Sequence, residues 1–281
     1  MTTPRVAAIH DMSGFGRCSL TVAIPVLSAM GVQCCPLPTA FLSTHTGGFT
    51  GFTFLDMTEE MPKVAAHWQE LALRFHAIYS GFLASERQIG IVSDFIRTFR
   101  RSDTLVVIDP VMGDDGKAYQ TYTSALCSGM THLAELADVI TPNLTEAAFL
   151  LGRPYDQLPQ EEAGLQELVR ELGLHGRRSV VLTGVSLSPG KTGAMCFDAK
   201  TSRTETVQVD MIAHPLLGTG DIFASVLTGA LVRGDTLFSA AAQAADFVRA
   251  CAVHTVAQDL PLREGVDFEP MLGLLTKQNT I

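Results

Sequence analysis

The stretch T-L-V-V-I-D-P-V-M-G-D-D-G, residues 104–116, sets the architecture of the chain. Leu105-Val106-Val107-Ile108 is an unbroken apolar run, mostly β-branched. Thr104 to Asp109 around it reads as a buried strand, the pattern of a parallel sheet covered by helices on either side. Asp109 and Pro110 end it, because proline brings no amide hydrogen to a ladder. Open α/β sheets place ligands beyond the carboxyl ends of their strands, so the acidic loop that follows stands where chemistry is expected. The same residues also suit an ordinary turn.

The pattern repeats outward from this strand. Upstream, Ser85 to Arg100 reads as a helix capped by Ser85, and Ala77 to Ser80 as a strand. Met61 to Phe75 has helical spacing, Val32 to Leu37 is a strand, and Ser19 to Met30 is a helix closed by Gly31. Arg5 to His10 is the first strand, and Pro38 to Gly51, rich in Thr, Ser and Gly, reads as a loop. Downstream come strands at Val139 to Thr141 and Ser179 to Thr183, with a short helix from Glu146 to Leu151. Thr192 to Asp198 and Arg203 to Val209 read as a β-hairpin, followed by two Ala-rich helices, Gly220 to Arg233 and Phe238 to Gln258. This alternation predicts one three-layer α/β/α domain over residues 1–281, with a mostly parallel central sheet and a small β-hairpin. No repeat, low-complexity tract or long linker divides it.

Composition narrows the function classes. Of 281 residues 47% are hydrophobic, ample for one large core. Lys plus Arg is 20 against 29 for Asp plus Glu, a net charge of −9, which argues against a nucleic-acid binder. Anionic substrates remain compatible, because a local site can be positive within a negative whole. The six cysteines form no C-x-x-C pair and have mostly apolar neighbours, so reduced, buried thiols in a cytoplasmic protein are expected. No secretory leader or membrane-spanning run is evident.

Leu217-Gly218-Thr219-Gly220-Asp221 precedes an apolar helix. Glycines at a helix start let backbone N–H groups approach an anion, and the helix dipole favours negative charge there. Asp221 in the first turn suits a base that accepts a proton from an alcohol, beside a cradle for a transferring phosphoryl group. A plain glycine turn with an acidic helix start has the same letters. Asp109 and Asp114, at a strand end, suit Mg²⁺, which takes one or two carboxylates plus phosphate oxygens. In Thr141-Pro-Asn143-Leu-Thr145-Glu146, Asn143 or Thr145 can cap the next helix, or the segment can serve a site at another strand end. In Ser43-Thr44-His45-Thr46-Gly47-Gly48, His45 can meet a substrate or sit in solvent. Gly14-x-Gly16-x-x-Ser19 lacks the third glycine of a dinucleotide fingerprint. Neither a Walker A loop nor the protein-kinase motif set is present.

In this order, the strand-one loop, S-T-H-T-G-G at 43–48, D-P-V-M-G-D at 109–114, T-P-N-L-T-E at 141–146, V-V-L-T-G at 180–184 and G-T-G-D at 218–221 resemble the ribokinase superfamily. Within it they resemble the pyridoxal kinases, over about Arg5 to Gln258. The resemblance implies a ribokinase-like fold and ATP-dependent phosphorylation of the 5′-hydroxymethyl group of pyridoxal and related B6 vitamers. It implies Asp221 as base and Gly218, Thr219 and Gly220 as the anion hole. Asp114 and Glu146 would organise Mg²⁺ and the phosphates. Asp109, Thr141, Glu146 and Thr183 match positions for a monovalent cation such as K⁺. Asn143 and Thr183 match nucleotide-phosphate contacts, and Tyr119 would lie over ATP or substrate. His45, Thr46, Asp11 and Phe82 match substrate-side positions. A homodimer acting on a small molecule is implied.

Two departures bear on the substrate. Asp11 stands where the family has Ser against the pyridoxal ring, and Phe82 where Tyr is frequent. Related hydroxymethylpyrimidine kinases of thiamine biosynthesis carry a strand-one loop beginning G-S-D-S-G-G, which His10-Asp11-Met12-Ser13-Gly14-Phe15-Gly16 does not match. That activity is the alternative substrate reading. A catalytically silent vitamer-binding protein is the alternative from another class.

Overall fold

The computed structural model describes residues 3–119, 122–212, 214, 216–258 and 260–276. In chain order the elements are β1 (Arg5–Ser13), α1 (Ser19–Ala29), β2 (Gln33–Leu42), β3 (Phe54–Asp56), α2 (Met61–Glu70), β4 (Ala77–Ser80) and α3 (Glu86–Phe99). They continue as β5 (Leu105–Ile108), β6 (Gly113–Asp114), β7 (Lys117–Ala118), α4 (Ser124–Ala134), β8 (Val139–Ile140), α5 (Leu144–Leu151) and α6 (Glu162–Leu172). The last are β9 (Ser179–Val185), β10 (Lys191–Asp198), β11 (Arg203–Asp210), α7 (Thr219–Val232) and α8 (Leu237–Ala257).

Nine strands form one sheet in the order β11-β10-β9-β8-β5-β4-β1-β2-β3. Pairing is parallel from β2 through β9, and antiparallel for β3 and for β10 and β11 at the two edges. Strand side chains alternate between two cores. Ala7, Ile9, Ile78, Val106, Ile108, Val180 and Leu182 pack with α2 to α6. Val6, Ala8, Ala77, Tyr79, Val107 and Val181 pack with α1, α7 and α8. This is the period-2 division that a sheet sandwiched between two helical layers demands, and the three-layer α/β/α expectation is borne out. The predicted hairpin forms, and its strands β10 and β11 extend the main sheet. A smaller hairpin of β6 and β7 stands apart from it.

Several boundaries differ from the sequence reading. β2 runs to Leu42, through the segment read as a loop from Pro38. The Gln33 N–H bonds to the Pro4 carbonyl on the β1 side, so by alternation Pro36 and Pro38 turn their missing N–H groups toward the open edge, where proline is tolerated. β1 continues to Ser13, and its register with β2 slips between His10 and Met12, beside Asp11. α2 ends at Glu70, where Ala72 takes a left-handed φ of 51°, and Phe75 is buried on the way into β4. α4, α6 and β3 were not anticipated. Among the described residues no helix is long and apolar enough to cross a membrane.

Candidate active site

The carboxyl ends of β1, β4, β5 and β8 and the amino end of α7 converge on one side of the sheet. Gly218 caps α7 with φ 84° and ψ 0°, a left-handed conformation open to glycine. A Cβ there would also run into the Arg17 carbonyl oxygen. Glycine is therefore required twice at this position. The first intrahelical bond of α7 runs from the Ile222 N–H to the Gly218 carbonyl. The amides of Thr219, Gly220 and Asp221 thus belong to the unpaired first turn. A Cβ built on Gly220 meets nothing within 4 Å, so there is open space at this residue of the turn.

Asp221 follows in the same turn and is partly buried. Burial pushes its carboxyl up from 3.8 to about 6; the Ser19 N–H opposes the rise and the nearby Asp11 charge adds to it. Asp11 is buried at the register slip of β1. Its oxygens accept from the Ser19 hydroxyl at 2.5 Å and the Ser13 hydroxyl at 3.0 Å. Burial raises its pKa as well, and the two hydroxyls work the other way. Ser19 thus binds Asp11 through its hydroxyl and has its N–H near Asp221, and its backbone takes a left-handed φ of 50°. Ser13 and Ser19 were missed in the sequence; a serine two residues from a buried Asp was the available signal.

Asp109 leaves β5 with its N–H bonded to the Ser80 carbonyl at 2.8 Å, and its carboxylate accepts from the Thr141 hydroxyl at 2.8 Å. Burial first, then the Asp221 charge, raises its pKa. Asn143 and Glu146 form a reciprocal cap on α5. The Asn143 side-chain oxygen accepts from the Glu146 N–H at 2.9 Å, and Glu146 accepts from the Asn143 N–H at 2.8 Å. The other Glu146 oxygen accepts from the Met112 N–H at 3.1 Å, and the Asn143 amide donates to the Gly113 carbonyl at 2.9 Å. Cap and site are therefore one structure: the pair that starts α5 also holds the loop after β5. Burial and the Asp109 charge raise Glu146 well above the carboxylate range. Thr145, the other cap candidate, lies inside α5 and accepts from the Gly116 N–H at 2.8 Å.

Asp114 is exposed on β6, and its carboxylate accepts from the Asp115 N–H. Tyr119 is 44% exposed, and its phenol is raised by burial and by the charges of Glu146, Asp114, Asp109 and Asp221. The Thr183 N–H bonds to the Pro142 carbonyl at 2.8 Å, joining β9 to the segment after β8. Phe82 is half-buried after β4, edge-on to Tyr122. Thr46 is exposed.

His45 is neither solvated nor free. The Gly47 N–H donates to its Nδ1 at 3.1 Å, so Nε2 carries the hydrogen and donates to the Arg263 carbonyl at 2.8 Å. Both ring nitrogens are spent inside the chain, and a substrate can meet only the ring face or edge.

His10, Tyr79 and Ser225 are buried nearby; among the described residues neither His10 ring nitrogen has a hydrogen-bond partner, and the Tyr79 and Ser225 hydroxyls have only each other close by. The His10 and Tyr79 rings are 4.3 Å apart, edge to face, and burial lowers His10 to about 3, so the imidazole is neutral.

Among the described residues, Asp11, Asp109, Glu146 and Asp221 have no ion-pair partner. Nor do three His, Cys, Asp or Glu side chains converge to enclose a metal by themselves. The arrangement offers hard oxygen donors, a carboxylate held near 6 and the amides of a helix's first turn.

Residues 22–263 match the family described as phosphomethylpyrimidine kinase. A Bacteroides thetaiotaomicron protein assigned as a phosphomethylpyrimidine kinase, in a crystal form with pyridoxal, is similar at a TM-score of 0.92 and 44% identity, covering 98% of this chain and 96% of that one. Pyridoxal kinase from Lactobacillus plantarum is similar at a TM-score of 0.90 and 31% identity, covering 98% and 97%. Pyridoxal kinase of Pseudomonas paraeruginosa is 27% identical over 284 residues, covering 95% of this chain and 92% of its own.

Proposed function

The chain belongs to the phosphomethylpyrimidine kinase family, and from that premise we propose that it transfers the γ-phosphoryl group of ATP to the 5′-hydroxymethyl group of pyridoxal and related B6 vitamers. One observation carries the reading: a partly buried base, Asp221, shares the first turn of α7 with unpaired amides and with open space at Gly220. The solved relative with pyridoxal favours the vitamer over the pyrimidine.

Asp221 takes the hydroxyl proton as the alcohol attacks in line. A carboxyl poised near 6 is ionised at neutral pH yet holds a proton better than a solvated aspartate does. The amides of Gly218, Thr219 and Gly220 receive the negative charge that develops on the transferring group. Tyr119 covers the nucleotide side. Asp11, already held by Ser13 and Ser19, keeps lone pairs for a donor on the substrate ring, and Phe82, Thr46 and the His45 ring complete that wall.

The donor set fits Mg²⁺, a hard cation that completes its shell with phosphate oxygens and water rather than with an all-protein cage. Asp114 and Glu146 would hold it, directly or through water. Asp109, Thr141, Glu146 and Thr183 would hold K⁺. The cations supply charge neutralisation for the phosphates. Asn143 and Thr183 orient the nucleotide from the ends of β8 and β9.

ATP consumption by the purified protein, with Mg²⁺ and K⁺, is measured in parallel on pyridoxal, pyridoxamine, pyridoxine and hydroxymethylpyrimidine. Turnover highest with a B6 vitamer is expected. Preference for the pyrimidine overturns the substrate, and no turnover with calorimetric binding of a vitamer would leave a silent binder.

A further inference from the structure

The three loops that build the alcohol side and the anion hole have one neighbour in common. The Arg17 N–H donates to the Glu264 carbonyl at 3.0 Å, which holds the loop after β1. His45 donates to the Arg263 carbonyl at 2.8 Å, which holds the loop after β2. The Val266 N–H donates to the Leu217 carbonyl at 3.1 Å, which holds the turn leading into α7. Each bond engages backbone of residues 263–266, a short stretch after α8. The packing is equally close: Gly265, at φ 85°, leaves no room for a Cβ against the Arg17 backbone, and the Arg263 guanidinium lies 5.2 Å from the Phe49 ring centre.

Val266 and Phe268 sink into the core beside α1, α7 and α8, and the polar anchor between them is Asp267. Asp267, with a side chain 14% exposed, accepts from the Arg17 guanidinium at 2.8 Å and from His254 of α8 at 3.1 Å. The Asp267 N–H donates to the Thr255 hydroxyl at 2.9 Å. Arg17 reaches Glu269 as well, at 2.8 Å. Its own carbonyl is the group that forbids a side chain at Gly218. Arg17 thus touches the strap on one side and the anion-hole turn on the other. The match to the family ends at residue 263, so Asp267 lies outside it.

We propose that residues 263–267 form a strap that sets the alcohol-side loops and the anion-hole turn in mutual register, with Asp267 and Arg17 as its positioning residues. The reading of phosphoryl transfer given above is its premise. A group displaced by about 1 Å from its working geometry loses as much as about 100-fold in rate, so register between loops from different strands is a quantity the enzyme must hold.

The test uses the full chain, as wild type and as Asp267→Asn, which keeps the volume of the side chain and removes its charge. Hydrogen–deuterium exchange is followed in peptides covering 43–49, 216–221 and, as control, 104–109. Exchange should quicken together in the first two and stay unchanged in the third. In steady state, kcat should fall by about 10- to 100-fold with the KM for ATP little changed. Loosening confined to 263–269, or wild-type kinetics in Asp267→Asn, overturns the proposal. Arg17→Lys keeps the charge but loses the forked geometry, and it should show the same paired loosening if Asp267→Asn does not fold. The exchange measurement needs no substrate, so it stands even if no alcohol is turned over.

Discussion

Replacing Asp221 by Asn should make the protein more stable while disabling it. The folded state holds this carboxyl at about 6 against 3.8 for a free one, so folding at neutral pH forces a charge into a site that resists it. A difference of about 2 units at 1.36 kcal/mol each is about 3 kcal/mol of destabilisation. The sign follows from proton binding. Above about 6 the carboxylate is charged in both states, and the full penalty applies. Between about 6 and 3.8 the folded state binds more protons than the unfolded state, and the penalty fades as pH falls. Below 3.8 both states are neutral, and nothing remains. Asn keeps an oxygen to accept from the Ser19 N–H and removes the charge. Thermal unfolding of wild type and variant should therefore differ by about 6 °C at pH 7.5, taking about 2 °C per kcal/mol for a chain of this size. The difference should shrink steadily toward pH 4. A variant less stable than wild type at pH 7.5, or a gain that does not decline with acidification, would refute the account. Turnover in the same variant should drop about 10²- to 10⁴-fold with nucleotide binding kept.

The pH profile of kcat/KM should have an acid limb near 6, because Asp221 must be ionised to accept the proton; a limb near 4 would show that burial does not tune it. Asp11→Asn should move that limb to lower pH, since the Asp11 charge is one of the groups that raise Asp221. Gly218→Ala should lose most activity: the left-handed conformation alone costs about 1–2 kcal/mol for an L-residue, and the Arg17 carbonyl must also move. Wild-type kcat with a cleanly folded Gly218→Ala would remove the requirement for glycine. Asp11→Ser should change the ratio of kcat/KM between pyridoxamine and pyridoxine, and an unchanged ratio across the vitamers would place Asp11 outside the substrate contacts.

How far the sequence reveals this molecule depends on how local each signal is. Val106 to Ile108 announced its strand because a strand covered on both faces has no polar positions to confuse the pattern. Gly218 to Asp221 announced the helix start because turn, dipole and carboxylate lie within four letters. β2 was cut short because Pro36 and Pro38 look like loop residues until the neighbouring edge is known to be open. Asn143 could be read as a cap or as a site residue; it is the cap of α5, and its amide also holds the loop after β5. His45 had the right neighbourhood, but its nitrogens are engaged by Gly47 and Arg263. Asp267 was invisible, because its partner Arg17 lies 250 residues away and no local pattern marks either.

The carboxyls gathered at one end of the sheet have a consequence for the life of the protein. Burial and their mutual repulsion raise Asp109, Glu146 and Asp221 together, and a bound ligand that offers donors relieves them. Anything that binds the folded state alone stabilises it by mass action, about 2.7 kcal/mol at a hundredfold excess over Kd. Opening of the chain, and with it exposure to proteases, then depends on the supply of the small molecules it binds. A cell short of these ligands would hold less of the enzyme without changing its synthesis.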